Sequence, residues 1–186
     1  MKRSFANTLP RLFVDLDGVL CDFDRGCVSV TGCLPDDQPI RQMWSALRNQ
    51  ERPGFFDSLE WTPCGHALWD AVRPWDPAIL TGLPRGDWAE PQKRSWCARE
   101  LGSGITVHTC MAKEKLRYAA ASLSGDSADG RGPSDAVLID DRERNCAEWA
   151  SAGGIAIHHT GDVDLEVRLS VLLSVRPFCP SVCSPF

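Results

Sequence analysis

The chain has 186 residues, of which 43% are hydrophobic and 24% charged, and its formal net charge at pH 7 is −5. That length suits one domain with a substantial core, and an acidic balance with no basic stripe argues against a nucleic-acid polymer as partner. No apolar run approaches the ~20 residues of a membrane helix, and the opening MKRSFANTLPRLF has no apolar signal core, so no membrane is expected as a partner and the expected location is cytoplasmic.

In chain order, the first predicted strand is RLFVDLD, where apolar residues surround Asp15 and Asp17 follows two positions later. Residues 23–75 then run without a clear strand and are rich in aromatics and prolines. PIRQMWSALRNQ and PCGHALWDAV read as helices within this stretch, which is expected to form a small helical cap inserted after the first strand. Four more short apolar runs follow: PAILTG, ITVHTC, DAVLIDD and GIAIHH. Helix-like segments lie between and after them, at Asp87–Leu101, Ala112–Leu123, Arg142–Ala152 and Asp162–Leu173. Strands alternating with helices predict a parallel sheet covered on both faces, an α/β, Rossmann-like three-layer architecture. The runs are continuous rather than alternating, as burial on both faces requires. The expected core is approximately 8–22 and 76–175, the cap 23–75, and 176–186 a flexible tail. The Gly/Ser/Asp stretch at 122–135 is expected to be a mobile loop.

In such sheets ligands bind at the carboxyl ends of the strands, and these strands end in matched chemistry. Asp15 and Asp17 end the first. Thr81, with a hydroxyl, and Gly82, with an unhindered backbone, end the second. AKEK supplies Lys113 and Lys115 at a helix start, and Asp140 and Asp141 close VLIDD. Four carboxylates converging on one crevice would repel and would be costly to desolvate. They imply a bound cation, and oxygen-only ligands imply a hard one, Mg²⁺.

DLDGVL, LTG, a downstream lysine and LIDD resemble, in order, the four motifs of the haloacid dehalogenase-like phosphohydrolases. DLDGVLCDFD, GFFDSLEWTPCG, ILTGLPRGDWAEPQKRSWCARELG and LIDDRERNCAEWASAGG resemble more narrowly the 5′(3′)-deoxyribonucleotidases and their relatives. The resemblance implies a Mg²⁺-dependent phosphomonoesterase acting through an aspartyl phosphate, on a nucleoside monophosphate. Asp15 would be the nucleophile and Asp17 the general acid and base. The metal would be held by Asp15, by the backbone carbonyl of Asp17, and by Asp141 or Asp140. Thr81, the Gly82 amide and a lysine would bind the phosphate. Lys115 aligns best with the family's K-x-x-Y-A pattern, and Lys113 is the alternative. Gly18 would let the backbone turn beside the phosphate.

The resemblance also implies that Phe23 and Trp44 are substrate-binding residues, flanking a base. The alternative is ordinary cap core, the reading given to Phe55 and Phe56. Trp61, Trp69 and Trp75 read as packing the cap against the sheet. Arg142 and Arg144 read as a solvated helix start, and His66, His108, His158 and His159 as structural. Nine cysteines, an odd number, read as reduced thiols, including Cys179 and Cys183 in the tail. Expected partners are a small-molecule phosphomonoester and, in a homodimer, a second copy of the chain. Two other functions are open: hydrolysis of a sugar phosphate or other small phosphoester, and a non-catalytic binding protein on the same fold.

Overall fold

In the computed structural model, which describes residues 11–120 and 136–161, five parallel strands stack in the order β3-β2-β1-β4-β5. They are β1 (Arg11–Val14), β2 (Ala78–Gly82), β3 (Val107–Cys110), β4 (Ala136–Asp140) and β5 (Ile155–His158). Each coincides with one of the apolar runs, and the α/β, Rossmann-like class is as expected. β1 is central and pairs in register with β4 from Arg11↔Ala136 to Val14↔Ile139. The chain runs outward from β1 through β2 to β3 and then crosses back to β4 on the other side of β1, so the strand order reverses beside β1. This is where such a sheet opens its crevice.

The stretch expected to form the cap lies between β1 and β2. It contains α1 (Phe23–Thr31), α2 (Ile40–Arg48) and α3 (Gly65–Val72). The last two match the expected helices, whereas α1 is a helix that the sequence reading did not assign. Its residues, FDRGCVSVT, include glycine and β-branched positions that form helices poorly. Packing and caps override this. Asp22 accepts a hydrogen bond from the Arg25 N–H at 3.1 Å, and Gly32 ends the helix in the left-handed conformation at φ 76°.

On the other side of the sheet connections, α4 (Ala89–Glu100) follows β2, α5 (Leu116–Ala120) follows β3, and α6 (Glu143–Ser151) follows β4. The helix expected from Ala112 begins as a 3₁₀ turn at Ala112–Glu114 before α5. The expected helix at Asp162–Leu173, the loop at 122–135 and the tail all lie outside the described residues.

The main core joins sheet and cap. Leu12, Val14, Ile79, Val137 and Ile139 pack with Phe23, Leu47, Phe55, Leu68, Val72 and Trp96. A second cluster on the opposite face joins Phe13, Leu80, Leu138 and Trp149. Two anchors tie the cap segment to α4. The Trp96 indole N–H donates to the Leu59 carbonyl at 2.9 Å, and the Phe56 N–H donates to the Gln92 side chain at 2.9 Å. Phe55 and Phe56 are core, as expected. Among the described residues no helix is long and apolar enough to cross a membrane, and all seven cysteines there are free thiols. Cys179 and Cys183 lie outside them.

Candidate active site

β1 runs out at Val14, and the next four residues build the floor of the crevice. Asp15 is buried; its Oδ1 accepts the N–H of Leu16 at 2.8 Å. The chain then turns tightly through Leu16–Cys21, with the Leu16 carbonyl accepting from the N–H groups of Leu20 and Cys21. Gly18 is required here twice over. Its φ is +76°, and a Cβ at this position would overlap the carboxylate of Asp141.

The end of β4 faces this turn. Asp15, Asp140 and Asp141 each present a carboxylate oxygen, all lying within 4.8 Å of one another. Their environments differ. Asp140, fully buried, accepts from Lys115 Nζ at 2.7 Å, the Arg142 N–H at 2.9 Å, and Asn145 Nδ2 at 2.9 and 3.0 Å on its two oxygens. Its acceptor capacity is used. Asp141 Oδ1 is buried with no hydrogen-bond partner among the described residues. Burial, followed by the charges of Asp15 and Asp140, pushes the Asp141 carboxyl up to about 7. An orphaned buried oxygen beside two other carboxylates fits a hard divalent cation. It fits Asp141, rather than Asp140, as the ligand from the LIDD pair, with Asp15 as its companion. The Asp17 side chain is not part of this group, and its Oδ2 takes the Lys93 ammonium; the contact expected of Asp17 with the metal is through its backbone carbonyl.

Lys115 joins the two strand ends. Its buried Nζ lies 2.7 Å from Asp15 Oδ2 and 2.7 Å from Asp140 Oδ2. Burial opposes its charge, but the two carboxylates outweigh it and hold the ammonium above its ordinary range. Lys113, two residues earlier in the 3₁₀ turn, is exposed. Of the two candidate lysines, only Lys115 lines the crevice. The end of β2 supplies Thr81, fully buried, and Gly82, which lines the same opening.

One residue in the site was not singled out from sequence. Lys93 of α4 is almost completely buried, and its Nζ donates to Asp17 Oδ2 at 2.6 Å, Thr81 Oγ1 at 2.8 Å and the Gly82 carbonyl at 2.9 Å. It also stands 4.5 Å from the centre of the Phe56 ring. The signal for it was periodic. Ala89, Lys93, Trp96 and Cys97 are the buried positions of α4, so a lysine occupies an otherwise apolar face. Burial raises the Asp17 carboxyl above its ordinary range, and the charge of Lys93 partly offsets that.

The crevice is small, about 90 Å³, and is lined by Asp15, Asp17, Gly82 and Lys115, with Trp44, Leu83, Pro84 and Arg142 toward its mouth. Trp44 therefore borders it. Phe23 is buried behind, and its ring centre is 5.9 Å from that of Trp44, 5.5 Å from Phe55 and 6.2 Å from Phe56. The two rings expected to flank a base touch each other, with no slot between them. Arg142 reaches the crevice, whereas Arg144 pairs with Glu148 on the surface at 2.8 Å. His158 Nε2 lies 2.8 Å from the Asp141 carbonyl oxygen, at the rear of the carboxylate group.

No protein-family model matches the sequence, and no curated protein matches it. Solved structures do. A haloacid dehalogenase-like family hydrolase from Xanthomonas campestris superposes with a TM-score of 0.57 at 13% identity, covering 94% of this chain and 95% of its own. A haloacid dehalogenase-like family hydrolase from Streptococcus pneumoniae gives 0.53 at 12% identity over 82% and 85%. An enzyme of the same family from Bacteroides thetaiotaomicron, in complex with magnesium and inorganic phosphate, gives 0.50 at 16% identity over 83% and 96%. At such identities the likeness establishes the fold, which is that of the haloacid dehalogenase-like hydrolases.

Proposed function

We propose that the chain is a Mg²⁺-dependent phosphomonoester hydrolase that works through a phosphorylated Asp15. The observation that carries this reading is the convergence of Asp15, Asp140 and Asp141 within 4.8 Å, with Lys115 bridging Asp15 and Asp140 and lining, with Asp15 and Gly82, one crevice. A cluster of this kind is poor as a structural device and well suited to holding a cation and a phosphate together. That a structural relative is seen with magnesium and inorganic phosphate supports the same reading.

Asp15 attacks phosphorus, forming an oxygen–phosphorus bond as the ester bond breaks. Asp17 gives its proton to the departing oxygen. It then takes a proton from water, which attacks the phospho-aspartate and releases inorganic phosphate with Asp15 restored. Burial favours the protonated form of Asp17 that the first step needs. Lys115 has three N–H groups and directs two of them at Asp15 and Asp140, which leaves one for an equatorial phosphate oxygen. Mg²⁺ held by Asp15, Asp141 and the Asp17 carbonyl would supply the positive charge that lets an anionic nucleophile meet an anionic phosphate.

The leaving group is where two features compete. Trp44, Leu83 and Pro84 give the mouth an apolar wall, which suits the base of a nucleoside monophosphate. The crevice volume of about 90 Å³ is small against the ~300–1,000 Å³ of common small-molecule sites, and it favours a small phosphoester as the second reading. The test is phosphate release, with and without Mg²⁺, from p-nitrophenyl phosphate, sugar phosphates and deoxynucleoside monophosphates. Release that requires Mg²⁺ and disappears in Asp15→Asn is expected. Release from none of them, or equal release in excess chelator, would overturn the reading. Trp44→Ala separates the leaving groups: a selective rise in KM for the nucleotide, roughly 5- to 150-fold from ~1–3 kcal/mol of lost stacking, supports the nucleotidase form, and no selective change supports the small phosphoester.

A further inference from the structure

Lys93 is a buried charge with every donor committed. An ammonium group has three N–H bonds and no acceptor, and here they go to Asp17 Oδ2, Thr81 Oγ1 and the Gly82 carbonyl. These partners belong to two different elements, the turn after β1 and the end of β2, and all three belong to the proposed reaction site. None of them needs a lysine in order to fold, and a buried charge is costly unless its pairing is complete. Two consequences for orientation follow from the donor count. Thr81 accepts from Lys93, so its own O–H points away and remains a donor. Asp17 is held by Oδ2, while its Oδ1 is buried with no hydrogen-bond partner.

Resting on the phosphatase reading, we propose that Lys93 is a positioning residue. It clamps Asp17 through Oδ2 so that Oδ1 is the oxygen that exchanges a proton with the leaving group, and it fixes the Thr81 hydroxyl as a donor to the phosphate. The Gly82 carbonyl completes the clamp by tying the ammonium to the strand end, so the acid and the phosphate-binding hydroxyl are set at a constant separation. Lys93 touches neither substrate nor metal in this role, and Lys115 retains the direct contact with charge.

The test uses leaving groups that differ in their need for an acid. p-Nitrophenolate leaves without a proton, whereas an alkoxide does not. Lys93→Met keeps the unbranched shape and removes the charge and all three donors. It is compared with wild type, in Mg²⁺, on p-nitrophenyl phosphate and on 2-phenylethyl phosphate, with circular dichroism checking the fold. For the alkyl phosphate kcat/KM, which reports the step that expels the leaving group and not the later hydrolysis common to both substrates, is expected to fall ~100-fold or more, the scale of general-acid catalysis, and for p-nitrophenyl phosphate less than ~10-fold. KM is expected to rise by a similar factor on both, roughly fivefold for a misdirected Thr81 donor. Should Lys93→Met not fold, Lys93→Gln, which keeps an N–H donor near the same place, is read by the same ratio. It is expected to fall between wild type and the loss predicted for Met. Equal loss of kcat/KM on both substrates in a folded variant, or none on either, would overturn the assignment while leaving the phosphatase reading intact. A wild type inactive on these two substrates and on the sugar phosphates and deoxynucleoside monophosphates would overturn the phosphatase reading and the assignment with it.

Discussion

The two lysines of the candidate segment, Lys113 and Lys115, differ by two positions and by everything physical. Lys115 stands between two buried carboxylates at 2.7 Å each. Replacing it by methionine leaves Asp15 and Asp140 buried without their counter-charge. The expected result is loss of turnover together with destabilisation of about 3–5 kcal/mol, the scale for breaking a buried pair. Lys113→Ala, at an exposed position, is expected to stay within about 0.5 kcal/mol of wild type and to keep its activity. Chemical denaturation and phosphate release on the two variants check this, and the reverse order would return the phosphate contact to Lys113. Asp15→Asn is the matching test of the nucleophile. An amide does not attack phosphorus, so turnover is expected to vanish with the fold retained, and substantial residual activity would remove Asp15 from its role.

At the scale of elements, the site depends on how β1 ends. The turn through Gly18 brings Asp17 back toward the crevice and lies directly against Asp141. Gly18→Ala therefore meets two penalties: a left-handed backbone that costs about 1–2 kcal/mol for a residue with a Cβ, and overlap with the carboxylate expected to bind the cation. Loss of stability on that scale, with a weaker Mg²⁺ response in thermal unfolding, is expected, and an unchanged Mg²⁺ response would show that Asp141 does not serve as a ligand. The strands and most helices could be read from the chain because continuous apolar runs and amphipathic spacing follow directly from burial. So could Asp15, Asp17, Thr81 and the LIDD pair, because each lies at a strand end. α1 was not read, since its helix rests on Asp22, Gly32 and the packing of Phe23 rather than on propensity. Lys93 was not read either. Its spacing with Ala89, Trp96 and Cys97 marks the buried face of α4, but a lysine within EPQKRSWCARE also suits a solvated face, and the partners at the end of β2 come only from the fold.

Over the whole molecule, the carboxylates of the crevice make the metal-free protein sensitive to pH in a direction opposite to that of most acidic groups. Asp17, Asp140 and Asp141 are all raised above their ordinary range, in each case chiefly by burial, and Asp141 reaches about 7. The folded chain then holds protons that the unfolded chain releases. Between the unfolded value of 3.8 and about 7 for Asp141, the folded state binds more protons, so its stability is greatest at the acid end of that window and falls as pH rises through it. The slope for one such group is about 1.4 kcal/mol per pH unit. A cation held by Asp141 would replace the Asp141 proton, so its stabilising effect should grow over the same window, because at low pH it must displace that proton. The measurement is thermal unfolding at pH 5 and pH 7.5, each in excess chelator and in excess Mg²⁺. In chelator the midpoint is expected to be lower at pH 7.5 than at pH 5, and the rise produced by Mg²⁺ is expected to be larger at pH 7.5. An equal Mg²⁺ effect at both values would mean that Asp141 is not part of the cation site, and the reading that places a phosphate beside it would lose its physical basis.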